Sequence, residues 1–161
     1  YPVSFDEDLI MAAIEFIATS GTEVALSAAT AKTVLQILAP TNQRVRIVGF
    51  GLFFDGSIPN AEPVVVKLVR QTTAGTMSAV TLVKTGPVPG SESIQTQASH
   101  TASVEPTTTD ILDIYEIHPQ AGIEKLFPLG RELVMAGGSR LGLLVTAPAA
   151  VNCIAKIFGE E

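Results

Sequence analysis

Short runs in which apolar and polar residues alternate follow one another along the chain from Thr22 onward. The runs are rich in Val, Ile, Leu and Thr, and clusters of Gly, Pro, Asn, Asp and Ser separate them. This pattern is typical of β-strands joined by turns. It predicts strands at about residues 22–28, 32–38, 44–54, 63–71, 79–84, 94–101, 111–117, 124–127, 132–136, 140–146 and 151–158.

About ten strands without helical patterns between them predict a single all-β domain, built as a jelly roll or β-sandwich. A doubly wound α/β fold would need helices between the strands, and the pattern does not offer them. The length of 161 residues suits one domain with a sizeable core. Gly49 and Gly51 interrupt an otherwise apolar strand, which indicates close packing or a bend at that point.

The beginning of the chain fits two local structures. Ser4 and Glu7 have the spacing of a helix capping box. Apolar residues then follow at helical spacing, namely Leu9, Ala13, Phe16 and Ile17. This predicts a short helix that ends near residue 18. Residues 14–19 also alternate as a strand would, so an extended strand is the other interpretation.

The chain is therefore expected to divide into an N-terminal helix or extended arm at residues 1–20 and one β-domain at residues 21–161. Within the β-domain, residues 85–110 are rich in Gly, Pro, Ser, Thr and Gln and hold few large apolar side chains. This stretch is either a long exposed loop or a hairpin excursion that contains a weak polar strand. Long loops of this kind either serve a function or are tolerated on the surface, so a contact with a neighbouring subunit is one expectation.

The composition favours a protein whose surface is partly covered by another protein. Hydrophobic residues make up 47% of the chain and charged residues only 16%, against about 25% charged residues in typical domains. A low charge content suits self-association or docking, although a compact protein with a neutral Ser/Thr surface has the same composition. The net charge of −6 and the scattered basic residues exclude nucleic acid as an expected partner.

A membrane partner is not expected either. The apolar segment at residues 9–18 is too short to span a bilayer, and Glu15 interrupts it. Asp6, Glu7 and Asp8 precede the segment, whereas a secretory signal needs positive charge there. The sequence thus predicts a soluble chain that is not exported by that route.

The sequence offers no convincing catalytic, metal or cofactor site. Cys153 is the only cysteine and lies in an apolar run, where a buried thiol is expected. Glu116 and His118 would share a strand face, but two ligands do not make a metal site, and His100 is expected to be solvated. Ser139 follows two glycines but lacks the final glycine and the helix of a nucleophile elbow, so a turn is expected there. The sequence therefore predicts a protein that is not an enzyme and has no cofactor.

Several stretches together resemble a known family of phage proteins. They are Ala28 to Gln36, Ala39 to Val45, Phe54-Asp55-Gly56, Val69 to Thr72, Gly138 to Gly142 and Thr146-Ala147-Pro148. The sequence from Thr22 to the C-terminus is similar to the small jelly-roll proteins that act as capsid decoration, or cement, proteins of tailed bacteriophages. The stretches are strand and turn patterns, and none of them is a chemical signature.

This resemblance implies a structural function without chemistry. Family members, often homotrimers, bind the outer surface of the capsid and bridge subunits of the major capsid protein after synthesis in the host cytoplasm. The expected partners are therefore the major capsid protein and other copies of the chain, and the expected location is the virion. Alternatives are a β-sandwich binding module for carbohydrate or a host surface, and another virion part such as a tail or fibre. The absence of Trp and the presence of only two Tyr weigh against carbohydrate binding.

Overall fold

The computed structural model describes residues 13–85 and 92–161. Every regular element in these residues is a β-strand, because alternating Val, Ile, Leu and Thr fit the pleated, half-buried surface of a sheet. The strands are β1 (Glu15–Thr19), β2 (Val24–Leu26), β3 (Ala31–Leu38), β4 (Val45–Phe54), β5 (Val64–Gln71), β6 (Thr76–Val80), β7 (Val83–Lys84), β8 (Gln97–Val104), β9 (Thr108–Ile117), β10 (Gly122–Leu126), β11 (Leu133–Met135), β12 (Arg140–Thr146) and β13 (Val151–Glu160).

The strands form two antiparallel sheets that pack face to face. One sheet has seven strands in the order β10-β4-β13-β1-β7, with β11 also pairing with β4 and β2 also pairing with β13. The other has six strands in the order β6-β8-β3-β12-β5-β9. The predicted all-β sandwich is therefore confirmed, whereas the finer assignment to a jelly roll stays a prediction.

The core lies between the sheets, where alternate residues of each strand turn inward. Large side chains from both sheets are fully buried there, among them Leu35, Ile47, Phe50, Leu52, Leu68, Leu143 and Ile157. Phe50 also contacts the rings of Tyr115 and Phe127, with ring centres 6.0 and 6.3 Å apart. Burying one side chain of this size contributes roughly 1.5–3 kcal/mol, so the core is the main source of stability.

The helix predicted to end near residue 18 is wrong within the described residues. Residues Glu15 to Thr19 form β1, which pairs with β13 in the register Glu15 to Glu160. Phe16 and Ala18 face the core and Ile17 faces outward, so the period of two prevails over the helical spacing. The capping box and the first twelve residues of the arm predicted at residues 1–20 lie outside the described residues.

The single strand predicted at residues 79–84 is also wrong. The structure has two strands there: β6 pairs with β8 in the six-stranded sheet, and β7 pairs with β1 in the seven-stranded sheet. The chain changes sheets between them at Thr81 and Leu82. Because the apolar pattern continues through the change, the sequence alone does not reveal it.

The polar stretch at residues 85–110 contains a real strand. β8 pairs with β3 and β6, which confirms the hairpin excursion with a polar strand for the described part of the stretch. Residues 86–91 lie outside the described residues. The contact of this stretch with a neighbouring subunit stays a prediction.

A polar cluster joins the neighbouring edges of the two sheets. β9 and β10 are edge strands of different sheets, and Lys125 Nζ of β10 lies 2.7 Å from Asp113 Oδ2 of β9. Partial burial raises the pKa of Asp113, but hydrogen bonds from Lys125 and Tyr115 lower that pKa by more, so it lies below its ordinary value. The hydrogen bond to Asp113 is the main cause of a raised Lys125 pKa.

Asp113→Asn is expected to destabilise the protein at neutral pH and to have little effect in strong acid. The folded-state pKa of Asp113 is lowered, so its stabilisation is fully present above the unfolded pKa of about 3.9 and is lost as the pH falls through the folded-state value. Because the pKa of Lys125 is raised, the stabilisation from its ion pair with Asp113 is fully present below the unfolded pKa of Lys125, about 10.4. This stabilisation is lost as the pH rises through the folded-state pKa of Lys125. Urea unfolding at acidic, neutral and alkaline pH measures the difference.

The matched control for this prediction is Asp110→Asn. Asp110 forms a longer, exposed ion pair with Arg70 at 3.9 Å, so its loss should matter little at any pH. A destabilisation by Asp113→Asn that stays constant from acid to alkali would contradict the assignment.

Candidate docking surface

The outer face of the seven-stranded sheet is the candidate functional site. Strand register places five side chains together on it, and they define what we call the β4–β13 face: Phe53, Leu126, Ile154, Lys156 and Phe158. Phe53 is 40% exposed, Ile154 46% and Leu126 61%. Exposed apolar residues in one contiguous patch are typical of surfaces that contact another molecule.

Glycines make the centre of the β4–β13 face flat. Gly49 lies between Phe158 and Leu126 in the register, and a Cβ atom there would be 2.4 Å from the Lys125 carbonyl oxygen. A Cβ atom on Gly51 would be 2.6 Å from Lys156 Cε. The close packing predicted for these two glycines is therefore confirmed, and its result is a flat area on which neighbouring side chains lie.

Lys156 lies across this flat area. Its Nζ atom is 5.2 Å from the ring centres of both Phe53 and Phe158 and forms an ion pair with Glu124 of β10. The ammonium group is thereby attracted by two aromatic faces and neutralised by a carboxylate. The centre of the face thus carries charged groups without a net charge.

An apolar row crosses the same sheet from edge to edge. Val83 pairs with Ile17, Ile17 with Phe158, Phe158 with Gly49, and Gly49 with Leu126. The row spans β7, β1, β13, β4 and β10. Its two end residues have the most exposed side chains, with Val83 58% and Leu126 61% exposed. Sequence reasoning missed this row because its members are distant in sequence and only the strand register brings them together. The outward positions of the predicted strand at 151–158 were the one signal available.

The residues that the sequence singled out for chemistry are engaged in the fold. Cys153 is 1% exposed, and burial raises the pKa of its thiol to about 12, so the predicted buried thiol is confirmed. Ser139 lies in the turn between β11 and β12 and donates a hydrogen bond of 2.6 Å to the Ala136 carbonyl oxygen. The predicted turn is confirmed, because Gly138 has a positive φ of 76° there.

The two histidines lie in different parts of the fold. His118 follows β9, where its Nδ1 accepts a hydrogen bond from Gln120 N at 3.2 Å and its Nε2 lies 3.1 Å from the Pro59 carbonyl oxygen. His100 lies on β8, partly buried, with Nδ1 2.8 Å from Thr101 Oγ1, so the expected solvated position is not found. No group of three or more His, Cys, Asp and Glu residues suited to a metal ion occurs in the described part of the chain.

A cavity of about 570 Å³ opens at one end of the sandwich. Its walls are largely apolar and include Ile58, Val64, Pro119 and Val151. Asp55 at its rim accepts hydrogen bonds from Asn152 N at 2.9 Å and Asn152 Nδ2 at 2.8 Å, which lower the pKa of its carboxyl. The carboxylate thus ties the end of β4 to the start of β13.

Comparison with known proteins gives no match to a family model, to a curated protein or to a solved structure. Within residues 13–85 and 92–161, no helix has the length and apolar character needed to cross a membrane.

Proposed function

We propose that the chain is a non-enzymatic structural protein of a phage particle. In this proposal it binds the outer surface of the capsid as a homotrimer and stabilises the shell by bridging subunits of the major capsid protein. Its stabilising effect comes from the free energy of many repeated interfaces, and no bond is made or broken.

The observation that carries the proposal is the β4–β13 face. A flat apolar surface supported by a rigid sheet can be buried against a partner with little loss of conformational entropy, since its side chains are already held in place. Lys156 and Glu124 neutralise each other at its centre, so burial leaves no net charge without a partner. About 800 Å² buried per partner suffices for specific docking, and repeated copies on a shell add avidity.

A second observation agrees with a role in binding. The polar groups considered for chemistry, Cys153, Ser139 and His118, are buried or hydrogen-bonded within the fold. The low charged fraction of 16% also fits a protein that functions with part of its surface covered.

The proposal is tested by adding the recombinant chain to purified phage shells that lack it and separating the mixture on a density gradient. Co-migration with the shell in fixed proportion to the major capsid protein is the expected result. Ile154→Glu, which places a charge on the β4–β13 face, is expected to abolish co-migration. Ile114→Glu is the control, because Ile114 is similarly exposed, at 55%, but lies on β9 of the other sheet.

Two outcomes would count against the proposal in different ways. A chain found only in the light fractions, with shells from its own source, would overturn the capsid function, and glycan binding would be measured next. Equal co-migration of Ile154→Glu and Ile114→Glu would leave the capsid function standing and overturn the assignment of the face.

A further inference from the structure

The turn between β10 and β11 presents the most exposed large apolar side chain of the described residues. Leu129 is 95% exposed. It is the second residue of a four-residue turn, which the Arg131 N–H closes by donating a hydrogen bond of 2.8 Å to the Pro128 carbonyl oxygen. Gly130, the third residue, has a φ of 80°, as a type II turn requires. We call residues 128–131 the Leu129 turn; its backbone is already ordered, so burying its tip costs little further backbone entropy.

The same chain carries a cavity that suits this leucine. The cavity of about 570 Å³ described above, which we call the end cavity, has apolar walls that include Leu26, Val64 and Val151. Ile58 also lines it and is itself 63% exposed. Pockets that enclose a ligand have volumes of about 300–1,000 Å³, so the end cavity has room for one leucine side chain.

The charges of the Leu129 turn and the end cavity are complementary. Arg131 lies two residues after Leu129 and is exposed. The neighbouring Glu132 is less exposed and lines a different cavity. The described residues that line the end cavity include two carboxylates, Asp55 and Glu62, and no Lys or Arg. The turn therefore offers an apolar side chain beside a positive charge, and the cavity offers apolar walls beside two negative charges.

The Leu129 turn is too far from the end cavity of its own chain to fill it. Phe127 N lies 2.8 Å from the Val48 carbonyl oxygen, so the turn leaves the sheet beside the middle of β4. Asp55, which lines the cavity, is seven residues further along, or about 23 Å in an extended strand. The backbone of Leu129 is two residues from Phe127 and extends at most about 7 Å beyond it. A contact between this turn and this cavity therefore joins two copies of the chain.

We propose that the Leu129 turn of one copy inserts into the end cavity of the next, with Arg131 placed against Asp55 and Glu62. This inference rests on the homotrimer of the proposed function and names the contact that builds it. A threefold ring needs two different surfaces on every copy, since each copy presents one surface to each of its neighbours. Three such contacts close the ring, and the closure adds avidity to contacts that are individually small.

The proposal is tested by analytical ultracentrifugation of the full chain in the absence of shells. The parent is expected to sediment as a trimer, and Leu129→Asp and Ile58→Arg are each expected to sediment as a monomer. The first variant brings a carboxylate to the acidic cavity, and the second brings a cation to the place that Arg131 approaches. Ile114→Glu is the matched control and should remain a trimer, because Ile114 is 55% exposed on β9 and lines neither surface. Circular dichroism checks that every variant keeps the fold of the parent.

A charge exchange tests the pairing of the two surfaces directly. Arg131→Glu and Glu62→Arg should each weaken the trimer, and the double variant should restore it, which a local effect of either change would not do. Four results would each overturn the proposal: a parent that is not a trimer, a trimer that survives Leu129→Asp, equal dissociation by Ile114→Glu, or a double variant that is no better than Arg131→Glu.

Failure of this contact is distinguishable from failure of the capsid function. A parent that is a trimer through the Leu129 turn but never co-migrates with shells supports the contact and overturns the capsid function alone. A chain that co-migrates with shells while Leu129→Asp remains a trimer overturns the contact alone.

Discussion

Phe16→Ala is expected to lower the free energy of unfolding by about 3–5 kcal/mol. The Phe16 side chain is 1% exposed and fills the space beneath Gly159, where a Cβ atom would lie 2.6 Å from the Phe16 ring. Its loss leaves a cavity at the β1–β13 pairing that the surrounding strands cannot fill. Chemical denaturation followed by circular dichroism measures the effect.

Ile17→Ala is the control for this prediction, since Ile17 neighbours Phe16 but faces outward on β1. It should cost about 1 kcal/mol or less, as expected for a residue outside the core. Equal losses from the two substitutions would mean that this segment does not alternate as a strand. The same reasoning predicts that truncation before residue 13 leaves the β-domain folded, whereas truncation through residue 20 removes a core strand.

Glu105→Ala is expected to destabilise the protein by about 2–4 kcal/mol, because it leaves the Thr33 N–H and the Thr33 hydroxyl hydrogen without an acceptor. The Thr33 Oγ1 atom still accepts a hydrogen bond from Gln71 Nε2 at 2.9 Å. The Glu105 carboxylate accepts hydrogen bonds from Thr33 N at 2.9 Å and Thr33 Oγ1 at 2.7 Å. Thr101, with a positive φ of 56°, lies just beyond the stretch of β8 that pairs with β3. The pairing of β3 with β8 therefore stops before Thr33, and the Glu105 carboxylate accepts the hydrogen bond from Thr33 N that β8 does not.

Two variants separate this role from a general effect of removing a surface carboxylate. Glu105→Gln retains an acceptor oxygen and should cost less than Glu105→Ala. Glu116→Ala removes an exposed carboxylate from β9 and should change stability by less than about 0.5 kcal/mol. If Glu105→Ala is no more destabilising than Glu116→Ala, the hydrogen bonds to Thr33 do not hold in solution.

The long strands of the core were predictable because each combines alternation with clear turn residues at its ends. The predictions at 140–146 and 63–71 fall on or within one residue of β12 and β5. The sequence left β1 open between a helix and a strand because five residues of amphipathic sequence satisfy both periods, and only the pairing with β13 decides for the strand. β6 and β7 were predicted as one strand at residues 79–84 because the local pattern of apolar residues does not change where the chain passes from one sheet to the other.

The candidate docking surface was predictable only in part. Gly49 and Gly51 indicated close packing from sequence, because glycine within an apolar strand loses contacts that a larger residue would make. Lys156 as the side chain that lies on them was not predictable, since its position depends on the register of β13 against β4. The buried Nε of Arg140, which makes no hydrogen bond within the described residues, was likewise not predictable, because an arginine after a Gly-Gly turn looks like any exposed residue.

The pairing of β1 with β13 determines how the molecule responds to force. Ile14 N lies 2.9 Å from the Glu161 carbonyl oxygen, and Glu161 N lies 3.1 Å from the Ile14 carbonyl oxygen. Tension applied across these two residues would pull the antiparallel strands apart from one end, breaking their hydrogen bonds one pair at a time. Tension that slides β13 along β4 would instead load all the bonds of their long ladder together. The sandwich is therefore easier to unzip through Ile14 and Glu161 than to shear through its central strands.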